Sequence, residues 1–141
     1  MNKPEFADIR VGDEIPPVSI HISQELLNQY ADICGDYNSI HLDVEGMKNH
    51  PIFKGTIAYG TLNVEPVLQS IGAFQGTGWP GEGTELDLLF RAPARPGDTV
   101  TSRLTVREKK TIDGKNIVTC DMTSSNAAGA CVIGTAEIVV L

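Results

Sequence analysis

Cysteines and long apolar runs are scarce in this sequence. Its three cysteines, Cys34, Cys120 and Cys131, show no CxxC pairing, so they predict buried reduced thiols rather than a disulfide framework. No segment approaches the roughly eighteen consecutive apolar residues of a membrane helix. The acidic, proline-containing start also lacks the apolar core of a signal peptide. We therefore expect a reducing, cytoplasmic compartment.

Basic residues are also few. Eleven lysines and arginines stand against eighteen aspartates and glutamates, a net charge of -7, and such a surface repels nucleic-acid phosphates and anionic lipid headgroups. Neither nucleic acid nor a membrane is an expected partner, although a local basic patch could still meet a small polyanion. The 141 residues, 41% of them hydrophobic, suffice for an ordinary core. We expect a single domain over residues 1–141.

The first half of the chain predicts one strand and two helices. Apolar residues alternate with polar ones over residues 18–22, the pattern of a strand with one buried face. Ser23 is a suitable cap for a helix over residues 24–34. A second helix is expected over residues 59–74, with a kink or an irregular first turn because of Pro66. The apolar residues of the first helix recur at helical spacing: Leu26, Leu27, Tyr30 and Ile33.

The second half of the chain predicts four strands. Asp113-Gly114 and residues 126–129 have the composition of tight hairpins, and residues 95–98 that of a turn. Such short connections favour an antiparallel sheet. The alternating apolar residues of the four strands are Leu86, Leu88 and Phe90, then Val100, Leu104 and Val106, then Val118, Cys120 and Met122, then Val132, Ala136, Ile138 and Val140.

This order of elements describes an α+β domain. An antiparallel, curved sheet would wrap around a central helix, and the added first helix would lead into a long loop. That is the layout of a single hotdog fold, although other α+β topologies share the same order of elements.

The loop at residues 36–59 carries the residues best suited to chemistry. Regular structure there is limited to at most a short helical turn starting at Asp43, and ordered loops of this length are often functional. Asp36 and His41 are five positions apart, so their side chains can converge on one water molecule if the loop folds back. Such a pair is suited to taking a proton from water and returning one to a developing carbanion. Asn38, between them, has an amide that can hold the loop.

Three segments of the chain carry a family resemblance. Gly35-Asp-Tyr-Asn-Ser-Ile-His41 resembles the GDxNPxH signature of the MaoC-like, R-specific enoyl-CoA hydratases, with Ser39 in place of the usual proline. Residues 53–61 resemble the family's approach to its central helix, and residues 90–99 its F..P..PGD element. The resemblance implies a hotdog hydro-lyase that hydrates trans-2-enoyl-CoA to (R)-3-hydroxyacyl-CoA, or dehydrates the product. We expect no cofactor besides the coenzyme A of the substrate, and no metal site, because no other histidine or cysteine falls at ligand spacing from His41.

The same resemblance assigns roles to five residues. Asp36 and His41 would be the catalytic pair that holds the attacking water. Gly60, Asn38 and Tyr59 would form the oxyanion and substrate-binding set. In that set the Gly60 N–H would donate to the thioester carbonyl, and Asn38 would support the geometry of the pair. Tyr59 stands where the family usually has histidine, and it would reshape the acyl pocket or supply a further hydroxyl donor.

Each role has a structural alternative. Asp36 could merely end a helix, His41 could be a buried histidine bonded to the backbone, and Gly60 could mark a close helix-to-sheet contact. His21 and His50 are interpreted as structural or solvated residues. Six basic residues are candidates to meet coenzyme A phosphates, with solvated surface as their alternative. They are Lys54, Arg91, Arg95, Arg103, Lys109 and Lys110.

Two other functions remain open on the sequence. One is a hotdog acyl-CoA thioesterase, and the other is a non-catalytic hotdog subunit that completes a partner's acyl pocket. The substrate of the hydratase would be a thioester of coenzyme A or of an acyl carrier protein. A single sheet around one helix leaves an edge and an apolar groove exposed, which predicts a homodimer or a dimer of dimers.

Overall fold

The computed structural model describes residues 3–141, so the first two residues of the expected domain lie outside it. A single 3-10 turn, Phe6–Asp8, precedes the main elements. The helices are α1 (Gln24–Cys34), α2 (Ser39–Leu42), α3 (Val44–Met47) and α4 (Gly60–Gln75). The strands are β1 (Glu14–Ile15), β2 (Ser19–His21), β3 (Glu85–Phe90), β4 (Thr99–Ile112), β5 (Lys115–Asn126) and β6 (Gly129–Val140).

The strands of the described chain form one antiparallel sheet in the order β1-β4-β5-β6-β3, with β2 also paired to β4. The hairpin between β4 and β5 turns at Asp113 and Gly114, whose φ angles are 52° and 74°. Two successive positive φ angles are what a two-residue hairpin turn requires. The expected antiparallel strands and both hairpins are therefore confirmed, while the sequence missed the short β1.

Helix α1 begins and ends where the sequence predicted. The Ser23 side chain accepts a hydrogen bond from the Leu26 N–H, and Gly35 ends the helix with φ of 73°. One part of its expected apolar face is wrong: Leu27 is buried, but Ile33 is 80% exposed. Ile33 lies in the last turn of α1, beyond the part of the helix that packs on the core.

Helix α4 is the centre of the domain. It runs unbroken from Gly60 to Gln75 across Pro66, so the irregular first turn expected from the proline is not seen. Val67 and Ile71 are fully buried against the sheet, together with Leu104 and Ile138. Because this packing fixes the axis of α4, it also fixes the position of the helix N-terminus at Gly60. Among the described residues, no helix has the length and apolar character needed to span a bilayer.

The cysteines divide into two classes, which corrects the expectation of three buried thiols. Cys120 and Cys131 are buried, whereas Cys34 is exposed, and none of them is in a disulfide within the described chain. Burial raises the pKa of the Cys120 thiol to about 12 and also raises the pKa of Cys131. Cys34 escapes burial because it is the last residue of α1, beside the exposed Ile33.

This difference predicts the outcome of thiol labelling. At pH 8 we expect an aromatic disulfide reagent to react quickly with one thiol of the native protein, since Cys34 is accessible and the buried thiols stay protonated. Two further thiols should react only after unfolding in guanidinium. A Cys34→Ser variant, which should lose the fast phase alone, is the control. Two or more fast thiols in the native protein would contradict the burial of Cys120 and Cys131.

Candidate active site

The segment that follows α1 folds back on itself through side-chain caps. The Asp36 carboxylate accepts a hydrogen bond from the Asn38 N–H at 3.0 Å, and the Asn38 side chain accepts from the Ile40 N–H at 3.1 Å. The second bond caps α2, a helix that the sequence did not predict. Asp43 caps α3 as expected, accepting from the Gly46 N–H at 2.9 Å. These turns carry His41 back towards Asp36.

Asp36 and His41 are brought together at a distance that suits a bridging water. His41 Nε2 lies 4.0 Å from Asp36 Oδ2, with the Asp36 side chain 52% exposed and His41 only 7% exposed. The separation is too long for a direct hydrogen bond, but a water molecule between the two atoms could lie about 2.8 Å from each. The pair therefore has one face towards solvent and one towards the core.

The orientation of the His41 ring is set by its other nitrogen. Nδ1 lies 2.8 Å from the backbone carbonyl oxygen of Ile57. A carbonyl oxygen only accepts hydrogen bonds, so Nδ1 carries the proton in the neutral ring, and Nε2 presents its lone pair towards Asp36. His41 is thus positioned to accept a proton from a water molecule held between the two side chains.

Tyr59 contacts both members of the pair. Its ring stacks on the His41 ring with centroids 3.9 Å apart, and its hydroxyl donates to the Asp36 backbone carbonyl at 2.7 Å. Tyr59 is only 3% exposed, and burial raises the pKa of its phenol above the ordinary value. The hydroxyl therefore stays protonated and engaged with Asp36. The sequence identified the residue, but nothing in it indicated this bond.

A second set of hydrogen bonds, which no pattern in the sequence indicated, holds the backbone of His41. The Gln24 side chain on α1 donates to the His41 carbonyl at 2.8 Å and accepts from the Thr56 hydroxyl at 2.7 Å. Gln24 looks like an ordinary first-turn helix residue, and only the folded chain places it across the loop. His41 is therefore held at its ring by Ile57 and Tyr59 and at its backbone carbonyl by Gln24.

Gly60 is the first residue of α4. The N–H groups in the first turn of a helix have no acceptor within the helix, and the helix dipole gives them partial positive charge. A methyl group added at Gly60 would lie 3.2 Å from the nearest atom of the Phe90 ring. A side chain larger than glycine would therefore crowd the Phe90 ring at the start of α4.

A surface pocket of about 300 Å³ contains both His41 and Gly60 in its lining. The rest of its wall is mostly apolar and comes from the loop, from α4 and from the end of β3. Asp36, Asn38 and Tyr59 do not line it: the Asp36 side chain is about half-exposed to solvent, and Tyr59 is buried. The other lining residues are Phe53, Ile57, Ala58, Asn63, Phe90, Arg91, Ala92 and Pro93.

Most of the six candidate cations are engaged elsewhere. Arg103 pairs with Glu14 at 2.6 Å, Lys110 pairs with Glu137 at 2.8 Å, Lys109 donates to the Ile9 carbonyl, and Arg95 donates to the Phe53 carbonyl. Lys54 and Arg91 have no acidic partner within residues 3–141, and Arg91 lines the pocket. Of the two, Arg91 is the cation that lines this pocket.

The other two histidines are structural or solvated, as expected. The Nδ1 of His50 accepts from the N–H groups of Ile52 and Phe53, and its ring stacks on Phe53. His21 lies exposed on β2. Within the described chain, no group of three or more histidine, cysteine, aspartate or glutamate side chains is arranged to hold a metal ion.

Comparisons with known proteins match the chain over nearly its whole length. Residues 8–128 match the family model described as MaoC like domain. The chain is 32% identical over 138 residues to an (R)-specific enoyl-CoA hydratase of Rhodospirillum rubrum, a match that covers 96% of this chain and 90% of that protein. The match therefore includes both the Asp36 to His41 segment and the start of α4.

Solved structures agree with the fold. The R-hydratase PhaJ1 of Pseudomonas aeruginosa, in its unliganded form, superposes with a TM-score of 0.75 at 32% identity, covering 96% of this chain and 84% of that one. A MaoC-like dehydratase from Rhodospirillum rubrum gives a TM-score of 0.73 at 27% identity, covering 96% and 94%. The hotdog fold expected from the sequence is confirmed.

Proposed function

Since the chain belongs to the MaoC-like domain family, we propose that it hydrates trans-2-enoyl-CoA to (R)-3-hydroxyacyl-CoA, or dehydrates that product, with Asp36 and His41 as its catalytic residues. It is a hydro-lyase. The observation that supports the roles of these two residues is the 4.0 Å separation of His41 Nε2 and Asp36 Oδ2, beside a pocket that opens onto the N-terminus of α4.

The substrate carbonyl would be placed by Gly60. Its N–H would donate to the thioester oxygen, and the partial positive charge of the helix end would stabilise the negative charge that develops on that oxygen. The enoyl group would then lie in the pocket that His41 and Gly60 share. This arrangement would put the double bond next to the water held by the Asp36 carboxylate and the His41 imidazole.

The reaction would proceed by proton transfer within the pair. As the water oxygen forms its bond to C3, His41 Nε2 takes a proton from the water, and the double-bond electrons shift to give an enolate on the thioester. C2 then receives a proton from the Asp36 and His41 pair, which returns the protein to its starting state. Because both groups lie on one side of the substrate, hydroxyl and proton would add to the same face. The addition is redox-neutral and needs no further cofactor.

Enoyl-CoA consumption tests this proposal against the thioesterase alternative. Purified protein is incubated with crotonyl-CoA and with longer and branched enoyl-CoAs, and both the enoyl-thioester absorbance and free thiol are followed. We expect the absorbance to fall without thiol release. Thiol release matching the absorbance loss would indicate a thioesterase instead. Turnover only after addition of a second hotdog subunit would indicate the non-catalytic role.

Tyr59 is proposed to position the pair rather than to contact substrate. Tyr59→Phe keeps the ring stacked on His41 but removes the hydrogen bond to the Asp36 carbonyl, so we expect kcat to fall about ten-fold with little change in KM. Tyr37→Phe is the matched control, since it removes an exposed hydroxyl that bonds only to Asp32. A rise in KM with unchanged kcat would instead place the Tyr59 hydroxyl against substrate.

The remaining expectations follow from the exposed parts of the molecule. We propose that Arg91 and Lys54 bind phosphates of the coenzyme A or carrier arm.

We also propose a homodimer or a dimer of dimers, because β3 is an edge strand of the described sheet and Leu89 and Phe90 on it are each 53% exposed. Molar mass by light scattering tests the assembly. A single domain over residues 1–141 and a cytoplasmic location remain predictions.

A further inference from the structure

Asn63 on α4 is a buried residue whose side-chain oxygen lacks a partner within the described chain. The residue is 2% exposed, and its side-chain oxygen has no hydrogen-bond partner among residues 3–141. Burying an amide without a partner is unfavourable, and a leucine of similar size would avoid that cost. Its neighbours Leu62 and Val64 are apolar. The side-chain oxygen of Asn63 would therefore be stabilised by a hydrogen-bond donor from outside the described chain.

The position of Asn63 indicates where that partner would be. Asn63 lines the same pocket as His41 and Gly60, and it lies one helical turn beyond Gly60 on α4. Helical side chains lean towards the N-terminus of their helix, so the amide leans towards the turn that begins at Gly60. Its backbone is already engaged, because the Ser124 hydroxyl donates to the Asn63 carbonyl at 2.5 Å. Only the side chain is left to interact with a ligand.

We propose, on the basis of the hydratase function above, that Asn63 is a specificity-determining residue whose side-chain oxygen accepts a hydrogen bond from a hydroxyl group on the acyl chain near the double bond. The preferred substrates are then trans-2-enoyl thioesters whose acyl group carries a hydroxyl substituent, because an amide oxygen only accepts hydrogen bonds. A plain hydrocarbon chain would cover the amide oxygen and leave it unpaired, whereas a hydroxyl substituent donates to it. The thioester carbonyl itself is served by the N–H of Gly60.

The rest of the pocket wall supports an acyl group as the source of this oxygen. Besides Asn63 the wall contains apolar residues, among them Ile57, Ala58 and Pro93, and an acyl chain of any kind would contact them. The pantetheine arm of coenzyme A also carries oxygen atoms. Two substrates with the same coenzyme A and different acyl groups therefore separate the two sources.

The test uses a matched pair of substrates and a matched variant. 4-Hydroxy-trans-2-butenoyl-CoA and trans-2-pentenoyl-CoA differ only by a hydroxyl in place of a methyl group. We expect the wild type to have the higher kcat/KM on the hydroxy substrate, and Asn63→Leu to reverse the preference, changing the ratio of the two values about a hundred-fold. Asn63→Leu should unfold at the same or a higher temperature, because it removes an unpaired amide. Asn63→Ala, which fits without added volume, repeats the test if the leucine does not fold.

Thr119→Val is the control for burial alone. Thr119 has a buried, unpaired hydroxyl on β5 and does not line the pocket. Its replacement should alter stability while leaving the ratio of kcat/KM values unchanged.

The outcomes distinguish the two proposals. Equal losses on both substrates in Asn63→Leu would overturn the specificity role and would assign the amide to the thioester or to the coenzyme A arm, with the hydratase function intact. A wild type that prefers the pentenoyl substrate would also overturn it. A wild type that hydrates neither substrate, nor any other enoyl-CoA, would contradict the hydratase function itself.

Discussion

Replacing His41 with alanine is expected to lower kcat/KM for enoyl-CoA hydration by about a thousand-fold to ten-thousand-fold. The variant has no group at Nε2 to take the proton of the water, and nothing replaces the lone pair that the Ile57 carbonyl orients. Asp36→Asn should have a similar effect, because the amide cannot carry the negative charge of the carboxylate. Steady-state rates on crotonyl-CoA measure both.

The controls for this prediction separate chemistry from folding. Asp32→Asn changes a carboxylate that bonds to Tyr37, so it should keep activity within about two-fold of the wild type. The double variant should be hardly slower than either single variant, since residues that act as one unit lose their effect together. Either single variant retaining most of its activity, with normal thermal unfolding, would remove that residue from the mechanism.

Replacing Gly60 with alanine is expected to lower kcat/KM about a hundred-fold. The new methyl group would press on the Phe90 ring, which lies 3.2 Å from where its carbon would be placed. The ring or the start of α4 must then shift by a few tenths of an ångström. The expected loss follows from a shift of the helix start, because the N–H then moves away from the proposed position of the thioester oxygen. The loss should appear in kcat with all enoyl-CoA substrates.

The double variant Gly60→Ala, Phe90→Ala tests this cause. Phe90 is 53% exposed, so its removal should be tolerated and should relieve the crowding. Recovery of activity in the double variant would identify displacement of the helix start as the cause. Wild-type activity in Gly60→Ala alone would mean that Gly60 is only a close packing position.

The parts of the fold that the sequence predicted are those with local signals. Ser23 and Gly35 mark both ends of α1, and Asp113-Gly114 provides the positive φ angles of its hairpin. Strand β1 could not be predicted in this way, because its two residues pair with Thr105 and Leu104, about ninety positions along the chain. The prediction that Cys34 is buried was wrong. Cysteine is a residue type that usually lies in the core, but Cys34 is the last residue of α1, beyond the part of the helix that packs on the core.

For the site, the sequence predicted which residues take part but not which atoms their side chains contact. The spacing of Asp36 and His41 was enough to predict that they could meet. The hydrogen bond from the Tyr59 hydroxyl to the Asp36 carbonyl joins residues 23 positions apart. It depends on where the start of α4 lies relative to the loop, and no local sequence pattern encodes that position. The unpaired amide of Asn63 was missed for a similar reason, since its burial is a property of the folded core and not of its neighbours in sequence.

The stereochemistry of hydration in deuterated water tests most directly whether Asp36 and His41 deliver both added groups from one side of the substrate. Crotonyl-CoA is hydrated in D₂O, and the product is analysed for its configuration at C3 and for the position of deuterium at C2. We expect (R)-3-hydroxybutyryl-CoA, with deuterium added to the same face as the hydroxyl. Deuterium on the face opposite to the hydroxyl, or a mixture of both deuterated forms at C2, would contradict addition from one side of the substrate, and the (S) product would contradict the proposed (R) specificity.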